Sequence, residues 1–506
     1  MWQFLILRAA GGKIDNMKTI FLLLSIAVPG LRADESRFDP PLKGAYLGVE
    51  LEKTDRGFEV KGVKELSAAD EAGVRTGDLL LHFGNFEELP RWSVRQLWEA
   101  LGKLPGKGSY EITILRDGRE LRLTITPDPA MVRDARTLAR RFRSHYLFRG
   151  LEKKRELLAG LEADLIAAVR RSPSTQSAYE ALNEIIDRFD VSHTAVIPPW
   201  SYASMLGKGA DGKPVFHLGL TVQKIAGEAT ERFFIRELMY GSAAREAGLK
   251  IGDEVCAVNS IPFSRSPRRT LAGYEARHSM YTIQVDTEEV VQVEVRRARG
   301  GNVRNYEIRA NRASTAIDST SRSIRMLGPE SPELGYIHLW NLLSRETVTV
   351  FDKALHEELG SARALVIDLR GRGGQVPVLK AIAQRVEADG RPAALLVDDL
   401  TRSAKEVLAY MLKGKRGISL IGDTTAGAVR AAGYVQLEDG ARAMIPVNAR
   451  IQIEKLTGGE DLEGRGVDPD IFVEFRLPFL AGRDPLLDRA TALLSTRGRP
   501  ARRRRL

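Results

Sequence analysis

The chain has 506 residues, which is too long for one compact domain and argues for about three or four units of ordinary soluble composition. Its formal charge of +10 sits at the ends: residues 1–33 hold four Lys/Arg and one Asp, and the last sixteen hold six Arg and no acid. The remainder is nearly neutral, which excludes a dedicated nucleic-acid binder. Cys256 is the single cysteine, so no intrachain disulfide can form, and its setting GDEVCAVNS predicts a packed strand position.

From Met17 the chain reads MKTIFLLLSIAVPGLRA, a Lys followed by an apolar run from Ile20 to Val28 that is too short for a bilayer span. This fits a secretory signal peptide cut near Ala33, with residues 1–16 an upstream extension; an N-terminal anchor is the alternative. The mature chain is then expected to be secreted or periplasmic, without a membrane span. Residues 34–129 follow as a first unit of short alternating strands, AYLGVELE, GFEVKGV, DLLLHFG, SYEITILR and ELRLTITP, with helices near Ala68–Ala72 and Val94–Leu101.

Part of that unit recurs. SAADEAGVRTGDLL (Ser67–Leu80) and SAAREAGLKIGDEV (Ser242–Val255) match at an offset of 175 residues, each an Ala-rich helix ended by a Gly and followed by a Gly-Asp turn into a strand. Both copies resemble PDZ domains, with Tyr46-Leu47-Gly48-Val49 and His217-Leu218-Gly219-Leu220 standing where that family carries its carboxylate-binding loop. The resemblance implies two β-sandwich modules, residues 34–129 and 201–312, that bind peptide C-termini by strand addition; a module serving only as spacer or lid is the bland alternative.

Residues 130–200 are strongly helical, broken at Ser172–Thr175, and end in EIIDRFDVSHTAVIPPW, which reads as the cap of a later domain. The second module is thus inserted between cap and core. Residues 313–490 alternate strands with helices, GYIHLW, Glu346–Leu359, ALVIDL, Val378–Ala388, AALLVD, Ala404–Lys413 and GISLIG, a pattern of an α/β core with a largely parallel sheet. YVQLEDGARAMIPVNARIQIE reads as added strands and turns, and residues 491–506 as a disordered basic tail. The fold class is therefore multidomain α+β.

Three distant stretches could supply a nucleophilic hydrolase. Ser403 lies between a strand and a helix, where it is either a helix cap or a nucleophile favoured by the helix dipole. The turn Gly371-Arg372-Gly373-Gly374 offers backbone N–H groups for an oxyanion; a plain strand-to-helix turn or a phosphate cradle are its other readings, the latter weakened by the missing Walker lysine. Seven histidines compete as base. His82 and His338 read as strand positions and His145 and His356 as helical surface, while His193 alone sits at a helix-to-loop boundary beside a second hydroxyl, Ser192.

Together DLRGRGG, LVDDLTRSAKE, GDTTAGA and LEGRGVDPD resemble the C-terminal processing and tricorn-type serine peptidases from about Ala130 to Leu487. The resemblance implies a ClpP/crotonase-like core. Ala428 occupies the position of the processing peptidases' catalytic lysine, so a Ser-Lys dyad is not expected. The tricorn-type branch takes a Ser-His pair from the cap and a glutamate from E-N-x-G-V-x-P-D, which Glu463–Asp470 matches except for Gly464 at the Asn position. By resemblance Ser403 attacks the peptide carbonyl, His193 is general base and then acid, and Ser192 with Glu463 orients it. The N–H groups of Gly373 or Gly374 and of Ala404 form the oxyanion hole. No metal or organic cofactor is implied, and the partners are unstructured or C-terminal polypeptide segments. The alternative is an inactive peptide-binding scaffold.

Overall fold

The computed structural model describes residue 42 and residues 44–86, 89–105, 108–144, 152–206, 215–225, 231–272, 280–312, 315–328, 333–447 and 450–497. The expected leader, His145, His278 and the chain beyond Arg497 lie outside the described residues. Among the described residues no helix is long and apolar enough to cross a membrane.

In the first module, alternation folds as read. An antiparallel sheet runs in the order Val49–Thr54, Gly57–Val63, Leu79–Phe83, Tyr110–Arg116, Arg119–Ile125. Its inward residues Phe58, Val60, Leu80, Ile112 and Ile114 bury against Leu97 and Leu101 of the helix Val94–Leu101. Ser93 and Gln96 cap that helix reciprocally.

The sequence repeat is also a repeat of bonding. Ser67 and Ser242 each cap a four-residue helix. Behind each cap, Gly48 and Gly219 sit so close that a Cβ on either would lie 2.2 Å from the serine Cβ. Asp78 and Asp253 each pair with one arginine, Arg116 and Arg297, which also reaches the carbonyl of Gly73 or Gly248.

The two modules differ where a peptide would add. Among the described residues, Val49–Thr54 ends its sheet, paired only with Gly57–Val63. Leu220–Ile225 is paired on both sides, by Arg232–Leu238 and by Met280–Ile283, and the Thr282 hydroxyl donates to the Leu220 carbonyl at 2.9 Å. The expectation of an open edge after His217-Leu218-Gly219-Leu220 is therefore corrected: every strand has two edges, and here the module's own chain fills the second. His217 itself is buried, in a two-residue strand paired with Asn311–Arg312.

Three helices, Val132–Ser144, Glu152–Arg171 and Thr175–Asp187, form the cap. Their apolar faces share one continuous core with the second module and with the hairpin Ala432–Gln436 and Arg442–Pro446. The helical domain is thus welded to the inserted module, whereas the first module keeps a core of its own.

The α/β core is a six-stranded sheet ordered Arg325–Met326, Leu334–His338, Ala364–Asp368, Ala393–Val397, Ile418–Gly422, Ile471–Phe472, parallel except for the first strand. Helices Val376–Asp389 and Ala404–Leu412 pack on one face and Pro485–Arg497 on the other. Two expectations change. Residues 491–497 are not tail: Leu486, Ala490 and Leu494, four apart, bury one helical stripe on the sheet. RIQIE is helical within Arg450–Leu456, because Ile453 and Leu456, three apart, reach the core and override the strand-like alternation.

The hairpin also clamps the cap. Tyr179 donates its hydroxyl to Asp439, and the Glu438 N–H donates to Asp134 at 2.6 Å. Burial and the neighbouring Asp439 push the Asp134 carboxyl up to about 7, against the Glu438 N–H that pulls it down. Its folded value lies above the ordinary aspartate value, about 4, so this contribution to stability is full below about pH 4 and is lost as pH rises through about 7. Asp134→Asn keeps an acceptor for Glu438 but cannot ionise. Urea unfolding between pH 4 and 8 should show this variant gaining on the parent as pH rises; a stability gap independent of pH would refute the assignment.

Candidate active site

Ser403 closes the loop between the strand Ala393–Val397 and the helix Ala404–Leu412. Its backbone is held at φ 56 and ψ −128, a conformation that costs an L-residue about 1–3 kcal/mol. Its hydroxyl makes no capping bond to the helix, although its carbonyl accepts the Val407 N–H at 3.0 Å. A serine that bears the strain without capping the helix is presented rather than tucked in. The Ser403 N–H is fixed by the Ala428 carbonyl at 2.8 Å.

The glycine turn packs directly onto it. A Cβ on Gly373 would lie 2.5 Å from the Ser403 Cβ and 3.1 Å from its Oγ. Gly374 forms a parallel bridge with Leu342 in which the Gly373 carbonyl and the Gln375 N–H make the bonds. The bridge thereby leaves the Gly374 N–H facing away from Leu342. Asp398, buried at the strand end, joins turn to loop by accepting from Thr401 Oγ1 at 3.0 Å, Leu400 N–H at 3.2 Å and Gly371 N–H at 3.4 Å.

His193 lies beyond the cap, at φ 60, just before the buried strand Ala195–Ile197 that pairs with Arg442–Pro446. Ser192 Oγ stands 3.0 Å from His193 Nδ1 and donates to Glu463 Oε2 at 3.0 Å. Glu463 is itself tied down by the N–H groups of Ser192, Val429 and Arg430 at 3.0, 3.0 and 3.1 Å. Residues 428–430 therefore serve both halves, holding the Ser403 N–H through Ala428 and Glu463 through the next two amides. Gly464 adopts φ 77 and donates to the Gly427 carbonyl at 2.8 Å. After Gly, Asn is a residue that tolerates this left-handed region, which explains why Gly serves at the motif's Asn position.

Proton accounting fixes the histidine tautomer. Ser192 donates its one hydrogen to Glu463, so the Ser192 oxygen accepts from His193 Nδ1–H. In that tautomer Nε2 is the acceptor nitrogen of the ring.

Several contributing residues carried no assignment in the sequence. Glu406, one turn into the helix after Ser403, accepts the Thr425 hydroxyl and the N–H groups of Gly427 and Ala428 at 2.7 and 2.9 Å. Burial pushes its carboxyl up to about 7 while these donors pull it down. Lys405 is fully buried and donates to the carbonyls of Arg370 and Trp340 at 2.8 and 3.1 Å, with burial pushing its ammonium down to about 7. The second module also reaches in: Arg236 pairs with Asp398 at 2.8 Å, and Glu237 meets Arg372 of the glycine turn at 3.3 Å. Burial raises the Glu237 carboxyl, but Arg372, Thr221 and Arg236 outweigh it and hold it below its ordinary value. The charged pair in RFFIREL was the available signal, since a half-exposed strand seldom buries Arg and Glu side by side.

Residues 378–473 match the family model for Peptidase family S41. The chain is similar to "Carboxyl-terminal-processing peptidase 1, chloroplastic" of Arabidopsis thaliana, 23% identical over 337 residues that cover 61% of this chain and 64% of that one. It is also similar to "Carboxy-terminal processing protease CtpB" of Bacillus subtilis (strain 168), 26% identical over 270 residues covering 48% and 52%. The chain thus spans between half and two thirds of the length of these two relatives. Among solved structures, a photosystem II D1 C-terminal processing protease aligns at a TM-score of 0.41 with 18% identity, covering 70% of this chain and 98% of that one. The tricorn protease aligns at 0.40 with 16% identity, covering 77% and 40%. The segment that matches Peptidase family S41 contains Ser403 and Glu463, and over part of its length the chain is similar to carboxyl-terminal-processing peptidases.

Proposed function

We propose that this chain is a serine endopeptidase that cuts unfolded or C-terminally exposed polypeptides through an acyl-enzyme on Ser403. The observation that carries the reading is the Glu463–Ser192–His193 relay, whose Glu463 is held by the amides of Val429 and Arg430, next in the chain to Ala428, which holds the Ser403 N–H. His193 Nε2 takes the proton from Ser403 Oγ as it attacks the scissile carbonyl, and returns it to the leaving amine; water then hydrolyses the ester. The imidazolium formed midway is stabilised through Ser192 by the Glu463 charge. The N–H groups of Gly373 or Gly374 and of Ala404 receive the oxyanion, each donor worth about 3–4 kcal/mol. A lysine base is not part of the reading: Ala428 offers a methyl group, and the Lys405 ammonium is bonded to two carbonyls.

The first module would gather substrate by strand addition along Val49–Thr54, its terminal carboxylate meeting the loop Tyr46-Leu47-Gly48-Val49. Among the described residues nothing pairs with that edge, which supports this, and the helix Val94–Leu101 packs beside it. The second module, with its edge filled, would act as scaffold. Export rests on the Met17–Ala33 stretch alone.

A fluorophosphonate probe tests the centre. It should attach to Ser403, located by mass spectrometry, and Glu463→Gln should slow the attachment by at least about a hundredfold. A label on another serine, or none, would favour the inactive scaffold.

A further inference from the structure

Between the second module and the core sheet, behind the glycine turn, lies a cavity of about 250 Å³. Neither Ser403, His193 nor Gly373 lines it. Its charges do not balance. Six Lys and Arg side chains line it against four carboxylates, and every one of the four already has a cation. Asp368 and Asp484 hold Arg370, Asp398 holds Arg236, and Glu237 holds Arg372, which lies outside the lining.

Of the four lining cations left over, Lys250 and Arg483 are exposed to solvent, and Arg245 and Arg325 are half-buried. Arg245, in the second module, donates to the carbonyls of Leu238 and Met239 at 2.7 and 3.2 Å. Arg325, on the first strand of the core sheet, donates to the Ser323 carbonyl at 2.9 Å. Among the described residues neither pairs with a carboxylate. Both guanidiniums lie against the Tyr240 ring, at 4.2 and 5.6 Å from its centroid, and Arg325 also covers Tyr336 at 3.9 Å. The rings hold the guanidinium planes but supply no net charge. Burial pushes the Arg245 guanidinium below its ordinary value, against the neighbouring Tyr240 and Tyr336, whereas at Arg325 burial is outweighed by the same two tyrosines, which hold it above its ordinary value.

Two guanidiniums on the wall of one cavity, neither with a counter-charge, are relieved by an anion, to which each can offer paired N–H donors. The space is several times the roughly 30 Å³ of a water molecule, room for an oxyanion but not for a folded segment. We propose that this cavity is a binding site for a small oxyanion, either inorganic phosphate or the terminal carboxylate of a peptide, held between Arg245 and Arg325. The ligand bridges inserted module and core at a wall that Arg370 and Gly371 share with the glycine turn. The site is independent of the peptidase reading.

Calorimetric titration of the full chain at constant ionic strength tests this, using inorganic phosphate and, separately, trialanine with a free or an amidated C-terminus. Saturable one-to-one binding is expected for phosphate, or for the free-acid peptide and not its amide. Phosphate assigns the site to an inorganic anion and the free-acid peptide assigns it to a chain terminus. Arg245→Gln and Arg325→Gln should each weaken the binding at least about tenfold, with native circular dichroism, and Arg325→Lys should lose less. Arg140→Gln, in a separate basic recess on the cap, should leave it unchanged. Should a Gln variant not fold, Arg325→Lys carries the comparison. No binding of any probe up to about 10 mM, or binding that the arginine variants leave intact, overturns the proposal.

Discussion

Replacing Ser403 with Ala is expected to lower the cleavage of an unfolded protein by about a millionfold, to background, while thermal stability stays with the parent. Two readings of this residue make opposite forecasts. A helix-capping serine would lose about 1 kcal/mol of stability on truncation and leave activity alone. A nucleophile would lose all activity and little stability, because the hydroxyl makes no capping bond and Ala inherits the same backbone strain. Proteolysis assays and melting curves on one pair of proteins separate the two. Cleavage by Ser403→Ala at the parental rate would remove the catalytic assignment altogether.

Gly373→Ala should cost at least about a hundredfold in kcat with KM nearly unchanged, since misplacing reacting groups by about 1 Å has effects of that size. The new methyl would lie 2.5 Å from the Ser403 Cβ and 3.0 Å from the Arg402 carbonyl, so the glycine turn and the serine must separate. Folding should survive, because Gly373 has none of the left-handed backbone that Ala resists. Gly371→Ala is the contrast. Gly371 sits at φ 82, and a Cβ there would lie 2.7 Å from Glu237 Oε1, so that variant should lose stability as well. Equal activity in parent and Gly373→Ala would mean that the turn does not touch the reacting centre.

Local patterning made much of this legible. Strand alternation and the 175-residue repeat predicted elements that the fold contains, and the motifs named Ser192, His193 and Glu463, which the structure bonds to one another across 271 residues. What escaped was set by long-range pairing. Nothing within LGLTVQKI reveals that Met280–Ile283 will lie beside it, because an edge is a property of neighbours rather than of a strand. RIQIE alternates like a strand, and only the core beneath Ile453 and Leu456 decides for helix. The amides of Val429 and Arg430 have no sequence signature at all, since any residue but proline could donate there.

The strand that seals the second module has a further consequence. Met280–Ile283 is tethered to the edge it occupies, and a tethered ligand presents itself at an effective concentration of about millimolar whatever the dilution of the protein. A free peptide would have to compete with that built-in occupant before gaining any affinity of its own. That edge of the second module is thus insulated from free peptide in its surroundings.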